Sequence, residues 1–266
     1  MLVHSPMTMA LKEVKKMKKF SPLYVAVALV FLNVSGTVWA QSTTIGVATD
    51  AGVSYLTDSS GKTLYYFTKD VMGESVCTDG CLNAWPVFYA PAITVPSSLS
   101  ANDFGTITRS DGTKQTTYKG WPLYYFAKDM NPGDMKGDAV NNVWFVLKVP
   151  FYTVMIATSP TLGNYMTDAN GMALYLYTKD PANESVCNGN CLKNWPAFFA
   201  SSIVAPAGVN PSDFKTITRD DGTRQTTFKG YPLYYWVKDT KRGDTTGEDV
   251  GHVWYVIDPE KQTPAT

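Results

Sequence analysis

Two kinds of side chain in this sequence have the types and spacing for chemistry, and both recur. The four cysteines form two C-x-x-x-C pairs, Cys77/Cys81 and Cys187/Cys191, and four aspartates, Asp70, Asp129, Asp180 and Asp239, each follow an aromatic run. Thiols four residues apart on a helical turn bring their Cα atoms to about 6 Å, within disulfide range. An oxidising compartment makes disulfides the default, and among the three pairings open to four cysteines the local one lets each copy serve its own repeat. The competing chemistry is that of the thiolate. Soft thiolates suit copper, and the same cysteines with His252 are the candidate set for copper, zinc or thiol redox. The βαβ pattern of thioredoxin-like copper carriers is missing, and no C-x-x-C-H occurs to attach haem. No cofactor and no metal is predicted, and metal handling or thiol redox stands as the alternative function.

The aspartates divide the same way. A carboxylate at a strand end holds the next loop by accepting backbone N–H groups two residues on. Acid–base work across a cleft needs an asymmetric pair instead, and four equivalent copies argue against one. Calcium needs a tight oxygen-rich loop, and no such spacing is present. Tyr and Trp rings can stack on sugars, but their strict repetition fits core packing. His252 has no nucleophile placed beside it, and no hydrolase, zinc-protease, phosphate-loop or dinucleotide motif occurs. The sequence therefore predicts a protein that is not an enzyme.

The positioning elements are repeats. Residues 64–86 recur 110 positions later as 174–196, and a weaker repeat of 59 positions relates 64–70 to 123–129. Trp85, Trp144, Trp195 and Trp254 each follow one of the four aspartates by 15 residues, so the unit is a quarter of the chain beyond its leader. Each quarter carries Y-x-[FWY]-x-x-D: Tyr65/Phe67/Asp70, Tyr124/Phe126/Asp129, Tyr175/Tyr177/Asp180 and Tyr234/Trp236/Asp239.

This motif resembles that of a bacterial exported-lipoprotein repeat family, secreted repeats of unknown function. The resemblance covers nearly all of residues 44–258 and implies an envelope location and a repeat fold, with no activity attached. Many members carry a lipid-attachment cysteine, and this sequence has none near its predicted cleavage point.

Residues 1–40 read as a signal peptide: five lysines, an apolar run over 23–34, and Val38-Trp39-Ala40 as the cleavage site. Met17 begins a more usual signal length, so 1–16 can be an over-long start. Removing 1–40 leaves 18 basic and 22 acidic residues, a net charge of about −4, with no basic cluster for nucleic acid. No later stretch is long enough to span a bilayer. The expected location is the periplasm or outside the cell, and the expected partner an unknown envelope protein or small ligand.

The fold class predicted is all-β. Thr-rich strands flank Asp111-Gly112 and Asp221-Gly222, both hairpin signals, and 143–147 and 253–257 make closing strands. Helical turns are expected near 82–85, 192–195, 101–104 and 211–214. Aromatic runs apolar on both faces place their strands inside covered sheets, as in a sandwich. The lead architecture is two tandem antiparallel β-repeat domains, 41–150 and 151–266, joined by an apolar segment that packs the halves together. A single four-bladed propeller is the alternative.

Overall fold

The computed structural model describes residues 44–266; the signal-peptide reading lies outside them. The strands form six small antiparallel sheets, two of them 3-stranded repeats of one another. Ile45–Asp50 and Val53–Asp58 make a hairpin, which Lys148–Val149 extends, and Val154–Ser159 with Gly163–Asp168 is its counterpart. Phe104–Thr108, Lys114–Tyr118 and Trp121–Pro122 form one three-stranded sheet, and Phe214–Thr218, Arg224–Phe228 and Tyr231–Pro232 the other.

The aspartate–glycine turns fall where the sequence put them. Gly112 and Gly222 take φ of 83° and 81°, a conformation that a Cβ disfavours. Asp111 and Asp221 close the same turns by accepting the N–H of Thr113 and Thr223, each at 2.9 Å. The helical segments among the described residues are Gly80–Ala84 and Asn190–Asn194, which end just before Trp85 and Trp195, and the single turns Thr68–Asp70, Ala101–Asp103 and Pro211–Asp213.

The aromatic strands decide the architecture. Tyr65–Phe67 pairs with Trp144–Val146, and Tyr175–Tyr177 with Trp254–Val256. The first strand of each pair belongs to one quarter and the second to the next. The aromatic strand of one quarter therefore pairs outside that quarter, which a self-contained blade would not do, and the propeller alternative is corrected: no closed barrel or propeller exists among the described residues.

The chain alternation of Tyr65–Phe67 is used fully. Leu64 and Tyr66 point into the larger core with Trp121, Phe145 and Tyr152, while Tyr65 and Phe67 point into a second one with Trp85 and Trp144. The join between halves is apolar and packed: Phe151 meets the Tyr118 ring edge-on at 5.2 Å. Lys148 donates to Ala205 O at 2.7 Å, and the Thr68 and Thr158 hydroxyls bond at 2.6 Å. The described residues form one compact unit.

Candidate functional site

The motif residues of paired quarters converge, and they exchange partners. Tyr65 Oη donates to Asp129 Oδ2 at 2.6 Å, and Tyr124 Oη to Asp70 Oδ2 at 2.5 Å. In the second half Tyr175 donates to Asp239 at 2.5 Å and Tyr234 to Asp180 at 2.6 Å. Each tyrosine thus bonds the aspartate of the other copy. The exchange is anchored in the main chain, since Tyr65 and Tyr124 trade N–H···O bonds at 2.9 and 3.0 Å, as do Tyr175 and Tyr234.

The other aspartate oxygen closes a loop, but a longer one than the two-residue turn expected from sequence. Asp70, Asp129, Asp180 and Asp239 accept the N–H of Val76, Lys136, Val186 and Thr246, at 2.8, 3.0, 2.8 and 2.9 Å. The carboxylate is drawn inward to a tyrosine of the facing copy, so the loop wraps it over six or seven residues. The two-residue pattern belongs instead to Asp58, Asp111, Asp168 and Asp221.

The rings form a four-layer stack in each half. Phe126, Trp85, Trp144 and Phe67 follow one another at centroid distances of 4.3, 3.8 and 4.1 Å. Trp236, Trp195, Trp254 and Tyr177 repeat it at 4.1, 3.8 and 4.2 Å. The motif tyrosines meet the indoles edge-on, Tyr65 on Trp85 at 5.4 Å and Tyr124 on Trp144 at 5.1 Å. Edge-to-face and offset contacts of this kind add about 0.5–1.5 kcal/mol per pair beyond burial. The rings that could have stacked on a sugar are spent on one another.

The cysteines close the loops after Asp70 and Asp180. Cys77–Cys81 and Cys187–Cys191 are disulfides with Cα atoms 5.4 and 5.3 Å apart. Two buried arginines, unassigned by the sequence reading, hold these loops. Arg109 donates to Cys77 O at 2.6 Å and to Gln115 Oε1 at 2.8 Å, and it also bonds Ser75 Oγ. Ser75 bonds Tyr124 Oη at 2.5 Å, so one chain of hydrogen bonds runs from guanidinium to the Asp70 carboxylate. Arg219, Ser185, Gln225 and Tyr234 repeat the chain. The signal was present: Ile107-Thr108-Arg109 recurs as Ile217-Thr218-Arg219, a charged residue kept in a Thr-rich repeat.

Burial sets the electrostatics. It pushes the Asp70 carboxyl up to about 7, against the opposing pull of the Tyr124 and Val76 hydrogen bonds. Asp129 and Asp180 are raised for the same reason. Asp70 is the most enclosed of the four, at 0% exposure against 6–7% for the others, because the 241–243 turn of the second half lies over its loop. The motif tyrosines are held well above the usual phenol range by burial and the facing carboxylates, so they remain donors at neutral pH.

His252 lies apart from this machinery. It is exposed, and its Nδ1 sits 3.0 Å from Asp249 Oδ1. Among the described residues no group of three or more His, Cys, Asp or Glu side chains is arranged to hold a metal ion. No open nucleophile–base pair occurs in the motif clusters, where the phenols and the carboxyls bond one another.

A family model for secreted repeats of unknown function matches four times, over residues 46–89, 105–148, 157–198 and 215–258. The chain belongs to that family. Each match spans one quarter and contains its tyrosine, aspartate and tryptophan, so the family unit is the quarter seen in the geometry. No curated protein and no solved structure shows significant similarity to the chain. Among the described residues no helix is long and apolar enough to cross a membrane.

Proposed function

We propose that this family member is an exported, non-catalytic binding module of the cell envelope, whose partner is an envelope protein or a small ligand. One observation carries the reading: the residues best suited to chemistry are consumed internally. The four motif aspartates accept from tyrosines and backbone amides, and the four cysteines are paired in two disulfides. A catalytic carboxyl or thiol must reach a substrate.

Each half is the folding unit in this reading, because the tyrosine–aspartate exchange closes within it. The protein acts in the periplasm or beyond it, as a scaffold whose loops meet the partner.

The test is to count free thiols and bound metal in protein purified from the periplasm without reductant. No free thiol and no metal is the expected result. Free thiols with stoichiometric copper or zinc would overturn the reading in favour of metal handling.

A further inference from the structure

The two halves differ at one place in a way that points to a ligand. In the first half, Arg242 reaches across from the second and lies in a socket. Its Nε donates to Val71 O at 2.5 Å and its Nη1 to Lys119 O at 3.3 Å. The guanidinium lies over the Trp121 ring, 4.6 Å from its centroid, and the carboxyls of Asp168 and Asp70 add an attractive field. Gly120, at φ of 81°, lets the backbone come close enough for this contact.

Moving the socket by the 110-residue repeat gives Pro181, Lys229, Gly230, Tyr231 and Asp180. Much of it is retained: a carbonyl on either side, the glycine with φ of 90°, an aromatic platform and a buried carboxyl. Pro181 O also accepts the Glu184 N–H at 3.0 Å, Asn183 N–H bonds Gly230 O at 2.7 Å, and Asp168 has no counterpart. No arginine fills the socket. The C-terminal tail does: Ala265 N–H donates to Lys229 O at 2.9 Å, the bond that Arg242 makes to Lys119 O. A Cβ on Gly230 would lie 3.1 Å from the Ala265 methyl, where one on Gly120 would meet the Arg242 guanidinium. Tyr231 stays partly exposed beneath this thinner cover, whereas Trp121 is fully buried.

We infer that Pro181, Lys229, Tyr231 and Asp180 form a second arginine socket, closed by the tail, that takes the arginine of a partner protein's turn when the tail lifts. Carbonyl acceptors, a π face and a carboxyl are the groups that select guanidinium over ammonium. A second copy is a poor donor, because its Arg242 is held within its own fold and its free end presents Pro132 at the matching position. The tail is suited to lifting. Its last residues are mostly exposed, and its hold is the Ala265 bond plus two from Lys229 Nζ to Pro259 O and Gln262 O, at 3.2 and 2.8 Å.

The inference deepens the binding-module reading and rests on it. The probe is a synthetic peptide of residues 238–246, which carries Arg242, added to the mature chain while amide resonances are followed. Ala265→Pro removes the N–H that closes the socket, and the variant's unfolding midpoint checks that it folds. The peptide is expected to move the Gly230 and Tyr231 resonances and to bind Ala265→Pro at least about tenfold more tightly than wild type, because the competent state is more populated. Peptides with Arg242→Ala or Arg242→Lys are expected to lose at least about tenfold in affinity. Equal binding of the three peptides, equal binding by both proteins, or shifts away from the socket would overturn the inference. That failure would leave the module reading standing, since thiol and metal counts decide it separately.

Discussion

Tyr65 donates its phenolic proton to Asp129, an aspartate 64 residues away, and not to Asp70 of its own motif copy. Tyr124 returns the bond to Asp70. The motif is therefore half of a clasp, and two copies are needed to close it.

Removing one hydroxyl from the clasp leaves a buried carboxylate short of a donor. Tyr65→Phe, Tyr124→Phe, Tyr175→Phe and Tyr234→Phe are each expected to lower stability by about 1.5–3 kcal/mol, the range for hydrogen bonds to charged groups. Denaturant unfolding of the oxidised protein measures this. Similar losses at all four positions support a shared structural role; a loss at one alone would mark that copy as special.

Asp70 makes stability depend on pH with a definite sign. Its folded-state carboxyl titrates at about 7, above the ordinary value of 3.8, so between these values the folded state binds more protons than the unfolded one. Its contribution is full below pH 4 and is lost as pH rises through 7. The loss is at most about 4 kcal/mol. Unfolding midpoints of wild type and Asp70→Asn, measured from pH 4 to 8, should show the wild type falling relative to the variant over that window. A constant difference would rule this out.

Gly137 and Gly247 are held by close approach and not by backbone conformation. A Cβ on Gly137 would lie 2.8 Å from Trp85 and Tyr65, and one on Gly247 2.9 Å from Trp195 and Tyr175. Gly137→Ala and Gly247→Ala should each cost about 1–3 kcal/mol through forced repacking. Gly112 has open space around it, so Gly112→Ala pays only for its φ of 83°, about 1 kcal/mol. Thermal unfolding of the three variants gives the order directly.

Each disulfide closes a very short loop, worth roughly 2 kcal/mol on the chain-entropy model. Cys77→Ser/Cys81→Ser and Cys187→Ser/Cys191→Ser should lower stability by similar amounts. Thiol titration of the denatured, unreduced wild type should find none free. Every mixed pair, such as Cys77→Ser/Cys187→Ser or Cys77→Ser/Cys191→Ser, should cost more than either double variant because it breaks both bridges; a mixed pair that costs less would mean that the bridges join the halves.

Much of this was legible from residues alone, because repetition exposes what folding requires. Tyr65, Phe67, Asp70 and Trp85 share one ruler with three other quarters, which marks them as fold and not site. The alternation of Leu64 to Phe67 announced a strand buried on both faces. What the ruler does not show is which copy bonds which. Spacing within a copy is local, whereas the Tyr65–Asp129 bond depends on how two quarters meet. The same limit hid the span of the aspartate loops, since Asp70 reaches Val76 only because Tyr124 draws its carboxylate inward. Arg242 was hidden for a different reason: its counterpart is Pro132, so the repeat gives no hint of its role.

The clasp itself is tested most directly by a pair of double-mutant cycles on unfolding free energy. Tyr65→Phe with Asp129→Asn should show a coupling of about 1–3 kcal/mol, and Tyr65→Phe with Asp70→Asn a coupling within about 0.5 kcal/mol of zero. A large coupling between Tyr65 and Asp70 with none to Asp129 would contradict the exchange between copies.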